Sequence, residues 1–454
     1  MALLMAIWWV TEAIPIPATA MIPVALFPLM GIMSGNVVAG QYFNNIIFLF
    51  IGGFIMALAM ERWNLHRRIA LRIILLIGAS PRKIILGFMI ATAFLSMWIS
   101  NTATTMMMMP IAMAVIVRLK EEAGPVAGRF SIGLLLGIAY AASIGGIATL
   151  IGTPPNLAFS RIYQISFPNA PEISFAQWMS FGLPLSVVLL VIAWLLLTFM
   201  FVRYESGLPS ERAMFREEHR RLGPMAYEEK MVLVLFALLA LLWIFRRDIT
   251  IGSFILPGWS HLFAWAKYID DGTVGITIAM ILFLLPSKNR PGERLMNWAT
   301  AVKLNWGIVI LFGGGFALAA GFKESGLSAW VAQSLQILQG APTVLLVLVV
   351  CVMLMLLTEL TSNTATTQIV LPLLASLAVA IKVHPLLLMI PATLSASCAF
   401  MLPVATPPNA IVFGTGEVRM GHMIRAGVLL NLCAAILITL LIFLWGRVVF
   451  DLGI

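Results

Sequence analysis

Charge is what this sequence has least of. Only 10% of its 454 residues are Asp, Glu, Lys or Arg, where a soluble domain carries roughly 25%. A further 61% of the chain is hydrophobic, which excludes an ordinary water-soluble globular protein. Cysteine is scarce too. Cys351, Cys398 and Cys433 all fall in apolar runs without CxxC spacing, so they make neither a disulfide framework nor a metal site. The five histidines (His66, His219, His261, His384, His422) lie in predicted loops or at their edges. A serine nucleophile needs a base within reach, and GxSxG and HExxH motifs are missing. Neither Ser100 nor Ser362 therefore reads as catalytic, and no enzyme is expected. The start, MALLMAIWWVTEAIP, lacks the positive n-region of a cleaved signal peptide.

What is present is apolar length. Runs such as Met231–Phe245, Ile276–Leu285, Val344–Leu357 and Ala426–Trp445 fit spanning or part-spanning helices of ~20 residues. Backbone groups in lipid must bond internally, and the alternation of a membrane barrel is missing. The fold class is therefore an all-α polytopic membrane protein. The net charge of +9 comes from basic residues in short loops flanking apolar runs. That pattern marks topology, so no nucleic-acid partner is expected.

One hexapeptide breaks the apolar pattern twice. SNTATT occupies Ser100–Thr105 and again Ser362–Thr367, 262 residues apart. At the same offset, LFIGGFIMALAMERWNL (Leu49–Leu65) aligns without gaps on LFGGGFALAAGFKESGL (Leu311–Leu327). A third pair follows in the same order: GTPPN at Gly152–Asn156 and ATPPN at Ala405–Asn409. Three matches in one order mean internal duplication.

Loop charge orients the two copies. Arg62, Arg67, Arg68, Arg72, Arg82 and Lys83 follow the first glycine-rich helix, against Lys323 and Glu324 after the second. The first segment is cytoplasmic and the second external by the positive-inside tendency. The linker 203–230, with five arginines, and the loop Lys288–Lys303 also read as cytoplasmic. Inverted repeats with interrupted helices characterise secondary transporters, which bind near the midplane where repeats meet.

The interruptions are the motifs. Apolar sequence flanks SNTATT on both sides (Ile84–Ser96, Met106–Val117), with Arg82, Lys83, Arg118 and Lys120 beyond. This predicts a re-entrant hairpin from the cytoplasm with SNT at its tip, and a second hairpin from outside. Two prolines in TPPN break a helix by removing N–H donors and clashing with the preceding turn. Ser and Asn suit helix starts, whose free N–H groups attract anions. Freed carbonyls offer hard ligands for sodium. Two helix tips from opposite faces suit a substrate with two anionic groups.

No Lys or Arg occurs from Ile84 through Val117, Ser131 through Ser160, Pro342 through Ile381 or Pro385 through Gly416. Helix dipoles alone would leave a dianion poorly neutralised there. Mobile cations bound beside it solve that problem and couple the fluxes.

Duplicated SNT tripeptides on opposed hairpins, each followed by a TPP break, resemble the divalent anion:sodium symporter family over nearly the whole chain. The resemblance implies a homodimer in the bacterial cell membrane and an elevator-type inverted-repeat fold with two re-entrant hairpins and two broken helices. It implies a scaffold (1–60, 229–322), a cytoplasmic arm (61–83) and linker (204–228), an external arm (323–341) and a transport domain (84–203, 342–454). It implies one sodium site similar to Ser96, Ser100, Asn101 and Gly152, and another similar to Thr358, Thr361, Asn363 and Ala405. Substrate carboxylates would meet Ser100, Asn101 and Thr102 from one side and Ser362, Asn363 and Thr364 from the other, near Thr153, Thr406 and Pro407. Na⁺ is the co-transported ion, with no organic cofactor. Citrate-preferring relatives typically have SNV second, so Thr364 points to succinate, malate or fumarate. The family's extra helix before WWVTEAIP is absent here, along with part of the next, so the expectation is either a truncated chain or a miscalled start. The alternatives are a sodium-independent dicarboxylate exchanger, or symport of citrate or sulfate. A passive channel fits poorly with blind hairpin tips.

Two acids stand apart. Glu359 precedes the second SNT inside an apolar run, where its counterpart is Met97; it reads as tuning a cation site or as a structural pair. Glu12 reads as a scaffold residue that caps or hydrogen-bonds between helices. The glycines of FIGGF and FGGGF read as close-packing positions, and MMMMP (Met106–Pro110) as flexible core.

Overall fold

The same order of elements occurs twice along the chain. A glycine-rich helix (Asn45–Arg62, then Trp306–Glu324) leads to a shorter helix (Leu65–Ile77, then Leu327–Ser334). A hairpin follows: Pro81–Ser96 with Asn101–Ala123, then Thr343–Thr358 with Asn363–Ala380. Each hairpin leads to a broken helix, Ala127–Ile147 with Pro154–Ser166 and Leu386–Ala396 with Pro407–Phe413. A long helix closes each copy, Phe175–Phe201 and Met420–Leu441. The structure, a computed structural model, describes residues 1–78, 80–123, 127–202, 209–251 and 254–452. The junction 203–208, where the first transport segment is expected to pass into the linker, lies outside the described residues.

Among the described residues seven helices are long and apolar enough to cross a membrane, or up to eight with one bent pair counted as a span. That pair, Leu327–Leu338 and Thr343–Thr358, bends by 118° at Gln339–Pro342, where Gly340 takes a positive φ. The one sheet among the described residues is a two-stranded ribbon, Ile249–Ile251 against Phe254–Leu256, at the end of helix Tyr227–Ile244.

Local chemistry sets the helix starts. Asn44 accepts from the Ile46 and Ile47 amides, Ser174 from Gln177, Asp270 from Thr273 and Asn305 from Ile308. Each satisfies N–H groups that have no partner within the helix. The TPPN prolines occupy the first turn of Pro154–Ser166 and of Pro407–Phe413, where a missing N–H costs nothing.

The ion pairs gather toward the two ends of the bundle. At the arginine-rich end, Arg62 pairs with Glu293, Arg67 with Glu218 and Lys120 with Glu417. Arg68 is buried there. It binds Glu229 at 2.9 Å and the carbonyls of Leu222 and Gly223. At the other end Arg247 pairs with Glu172, and Arg246 binds Asp271 (Nε–Oδ1 2.5 Å) with both side chains buried. The Phe175 amide also donates to Asp271, so this pair anchors the start of the long helix Phe175–Phe201. Removing one partner of a buried ion pair leaves an uncompensated charge. Arg246→Ala should therefore cost about 3–5 kcal/mol, read as a large drop in the thermal midpoint of the purified protein. An unchanged midpoint would mean that the pair is solvated.

Candidate functional site

The two SNT tips converge on one cavity of about 570 Å³. Ser100, Asn101 and Thr102 line it from the first hairpin, and Ser362, Asn363 and Thr364 from the second. The helix breaks supply Gly152, Thr153, Ala405, Thr406 and Pro407, and Thr361 also lines the wall. The nine residues expected to bind substrate thus face one space. Two expected cation ligands do not. Ser96 and Thr358 are fully buried one layer behind the wall.

Their surroundings are repeated almost atom for atom. Ser96 Oγ lies 2.6 Å from Asn101 Oδ1 and 2.6 Å from the Ala142 carbonyl. Thr358 Oγ1 lies 2.5 Å from Asn363 Oδ1 and 2.9 Å from the Ala396 carbonyl. A hydroxyl has one proton, so it can donate to only one of two acceptors. The second oxygen in each cluster therefore meets the hydroxyl without a proton between them. Surplus lone pairs packed this closely, with no basic side chain, fit a hard cation such as Na⁺. Backbone oxygens extend the first cluster. A Cβ on Gly146 would lie 2.8 Å from Asn101 Oδ1 and 3.0 Å from the Gly152 carbonyl.

The breaks are held open by a matching pair of asparagines. Asn156 Nδ2 donates to the carbonyls of Gly146 (3.2 Å) and Thr149 (2.7 Å), Asn409 Nδ2 to those of Ala399 (3.1 Å) and Leu402 (3.0 Å). These carbonyls lie where the first half of each broken helix ends, and each needs a donor at this depth. The second residue of each SNT starts a helix. Ser100 Oγ accepts from the Ala103 amide, while the Ser362 side chain makes no such cap. Thr105 and Thr367 return their hydroxyls to the Asn101 and Asn363 carbonyls.

No Lys or Arg is among the lining residues, and the one charged residue there is Glu12. Glu12 was expected to cap or bridge scaffold helices. It takes the C-cap position of helix Ala2–Thr11 with φ 49°, and it is also exposed on the cavity wall. The helix ends there because a left-handed residue cannot continue it, and Pro15 prevents an early restart. Glu359 is buried, and its carboxylate accepts from the Phe400, Met401 and Leu402 amides and from Asn431 Nδ2. The sequence reading missed the Ala142, Gly146 and Ala396 oxygens, because a backbone carbonyl leaves no residue-type signal. Asn156 and Asn409 were readable as the last letter of TPPN.

Comparison with known proteins gives one family. The sodium:sulfate symporter transmembrane region matches residues 1–452. The chain is 46% identical over 445 residues to the sodium-dependent dicarboxylate transporter SdcS of Staphylococcus saprophyticus, and 48% identical to that of Staphylococcus aureus. Each alignment covers 96% of this chain and 83% of the relative. Among solved structures, Neisseria gonorrhoeae MtrF, described with a class of antimetabolite efflux pumps, aligns with a TM-score of 0.59 at 13% identity, covering 92% of this chain and 84% of that one. The Alcanivorax borkumensis YdaH transporter, of unusual topology, aligns with a TM-score of 0.59 at 15% identity, covering 92% and 89%. These two likenesses concern the fold alone.

Proposed function

This chain belongs to the sodium:sulfate symporter family, and from that premise we propose that it imports C4-dicarboxylates together with Na⁺. It is a multi-pass cell-membrane transporter. The observation that carries the reading is the pair of Ser/Thr–Asn–carbonyl clusters behind two helix starts, facing one cavity with no basic side chain. Succinate, malate or fumarate would place one carboxylate at each helix start, where free N–H groups and the lining residues Thr102 and Thr364 would receive it. Na⁺ held in each cluster would offset the dianion, so neither species binds well alone. That mutual dependence is flux coupling. The sodium ligands we assign are Ser96, Ser100, Asn101 and Gly152 in one cluster and Thr358, Thr361, Asn363 and Ala405 in the other. The relatives named sodium-dependent dicarboxylate transporter support both ion and substrate class.

We assign the movement to an elevator in which residues 84–203 and 342–454 slide against the scaffold of a homodimer. Contacts between the two parts support an inward-facing state. Asn305 and Gly307, at the arginine-rich end of helix Trp306–Glu324, line the cavity. Farther along the same helix the space is closed. Gln368 fills the position above Gly315, so close that an added Cβ would sit 2.2 Å from its amide carbon, and Lys323 Nζ donates to the Ile165 carbonyl.

The test is uptake of labelled succinate into proteoliposomes, with an inward Na⁺ gradient or with K⁺ on both sides. We expect accumulation above equilibrium with Na⁺ only. Uptake indifferent to Na⁺ but stimulated by internal malate would make the protein an exchanger.

A further inference from the structure

The two copies share SNT and TPPN but differ around them, at Ser96/Thr358, Ile99/Thr361 and Gly152/Ala405, and one difference brings in a charge. At the hairpin tips, Met97 of the first copy corresponds to Glu359 of the second. Each anchors the break in the neighbouring helix, by different chemistry. The Met97 carbonyl accepts from Thr149 Oγ1 at 2.6 Å, and that hydroxyl accepts from the Gly152 amide at 3.1 Å. It is a neutral clasp. In the second copy the position of Thr149 is Leu402, which has no hydroxyl. There the Glu359 carboxylate does the holding, taking the Phe400 amide at 2.8 Å, Met401 at 2.9 Å, Leu402 at 2.9 Å and Asn431 Nδ2 at 3.0 Å.

Four donors and no acceptor surround this carboxylate, an arrangement that suits the anion, and no basic side chain is among its partners. Its neighbour in sequence, Thr358, carries the hydroxyl at the heart of the second oxygen cluster. The turn it clamps runs into the carbonyls of Ala399 and Leu402, both held by Asn409. Resting on the assignment of these clusters to Na⁺, we propose that Glu359 is a positioning residue that makes the two cation sites unequal. It adds a fixed negative charge and a stiff frame to the second site alone, so that site binds Na⁺ more tightly and fills first. The first site, framed only by neutral groups, fills second and is the weaker step in loading.

Three consecutive amides aimed at one carboxylate also pre-order the loop before any ion arrives. The first copy has no equivalent, because methionine offers only its backbone oxygen. A fixed charge on the residue next to a cluster ligand, in a poorly screened interior, should change cation affinity by about tenfold or more. The substrate tips at Ser362–Thr364 are not among the Glu359 partners, so substrate affinity at saturating Na⁺ should move far less.

The experiment measures the thermal midpoint of the purified full-length protein against Na⁺ concentration, without substrate and with K⁺ as the control. Wild type should show a tight and a weak phase. Thr358→Val should remove the tight phase, Ser96→Ala the weak one, and Glu359→Gln should move the tight phase about tenfold toward higher Na⁺. In succinate uptake, half-saturating Na⁺ should rise in step for Glu359→Gln while the succinate KM at high Na⁺ stays within about threefold. Asn431→Leu, which removes one donor and keeps the carboxylate, should shift the tight phase in the same direction by less; it serves if Glu359→Gln does not fold. A midpoint lowered equally at every Na⁺ concentration, with unchanged half-saturation, would make Glu359 a structural brace and overturn the proposal. So would loss of the tight phase in Ser96→Ala. A wild type that Na⁺ and K⁺ stabilise equally would overturn the sodium-coupled reading itself, and this proposal with it.

Discussion

Asn101→Ala and Asn363→Ala should each lower Na⁺-driven succinate uptake by about 100-fold or more, equivalent to roughly 3 kcal/mol. Each asparagine does two things at once. Its amide oxygen lies against the buried hydroxyl of Ser96 or Thr358, and the residue itself lines the cavity as the first member of a helix. Under the proposed assignment, truncation removes a cation ligand and a substrate contact together, and two coupled losses multiply. Folding should survive. Each change deletes one side-chain hydrogen bond, worth about 1 kcal/mol, at the first turn of a helix that alanine also favours. The thermal midpoint should thus stay near wild type in K⁺ and lose its Na⁺ response. Wild-type uptake in purified Asn363→Ala would sink the two-tip site.

The second large effect comes from adjacent glycines with different duties. A Cβ at Gly145 would lie 2.2 Å from the Ala93 carbonyl oxygen and 2.5 Å from its Cα. Those atoms are backbone of the first hairpin arm, so the whole arm must move. Overpacking costs about 1–3 kcal/mol where side chains can yield, and here none can. Gly145→Ala should therefore abolish most of the folded yield, seen as loss of the monodisperse peak on size exclusion. At Gly146 the added methyl meets Asn101 Oδ1 and the Gly152 carbonyl instead, within the first oxygen cluster. Gly146→Ala should give folded protein with little uptake and with the weaker Na⁺ phase missing. Equal outcomes for the two variants would mean that the cluster around Gly146 is only packing.

How much of this was legible in the chain differs from residue to residue. SNTATT and TPPN stand out because polar residues and paired prolines are costly inside apolar runs, so each had to have a local reason. Those motifs led to the nine positions expected to face substrate, which the fold gathers around one cavity. Glu359 was visible as an oddity, but its four donors come from residues 41 to 72 positions away in sequence. Glu12 was legible as a cap but not as part of the cavity wall. Its place depends on how the turn after helix Ala2–Thr11 is aimed, and a single left-handed residue sets that.

By itself the sequence determined the solvent, the duplication, the helix breaks and the uncharged character of the site, because each follows from residue type and spacing along one strand of chain. The tertiary structure decided which oxygens meet. Ser96 and Thr358, already expected as ligands, gain their further oxygen partners from the carbonyls of Ala142 and Ala396, residues whose side chains say nothing. The same packing separates the two halves of the site. One helix break is clasped by a threonine and the other by a buried carboxylate, since a backbone amide takes whichever acceptor the fold brings within 3 Å.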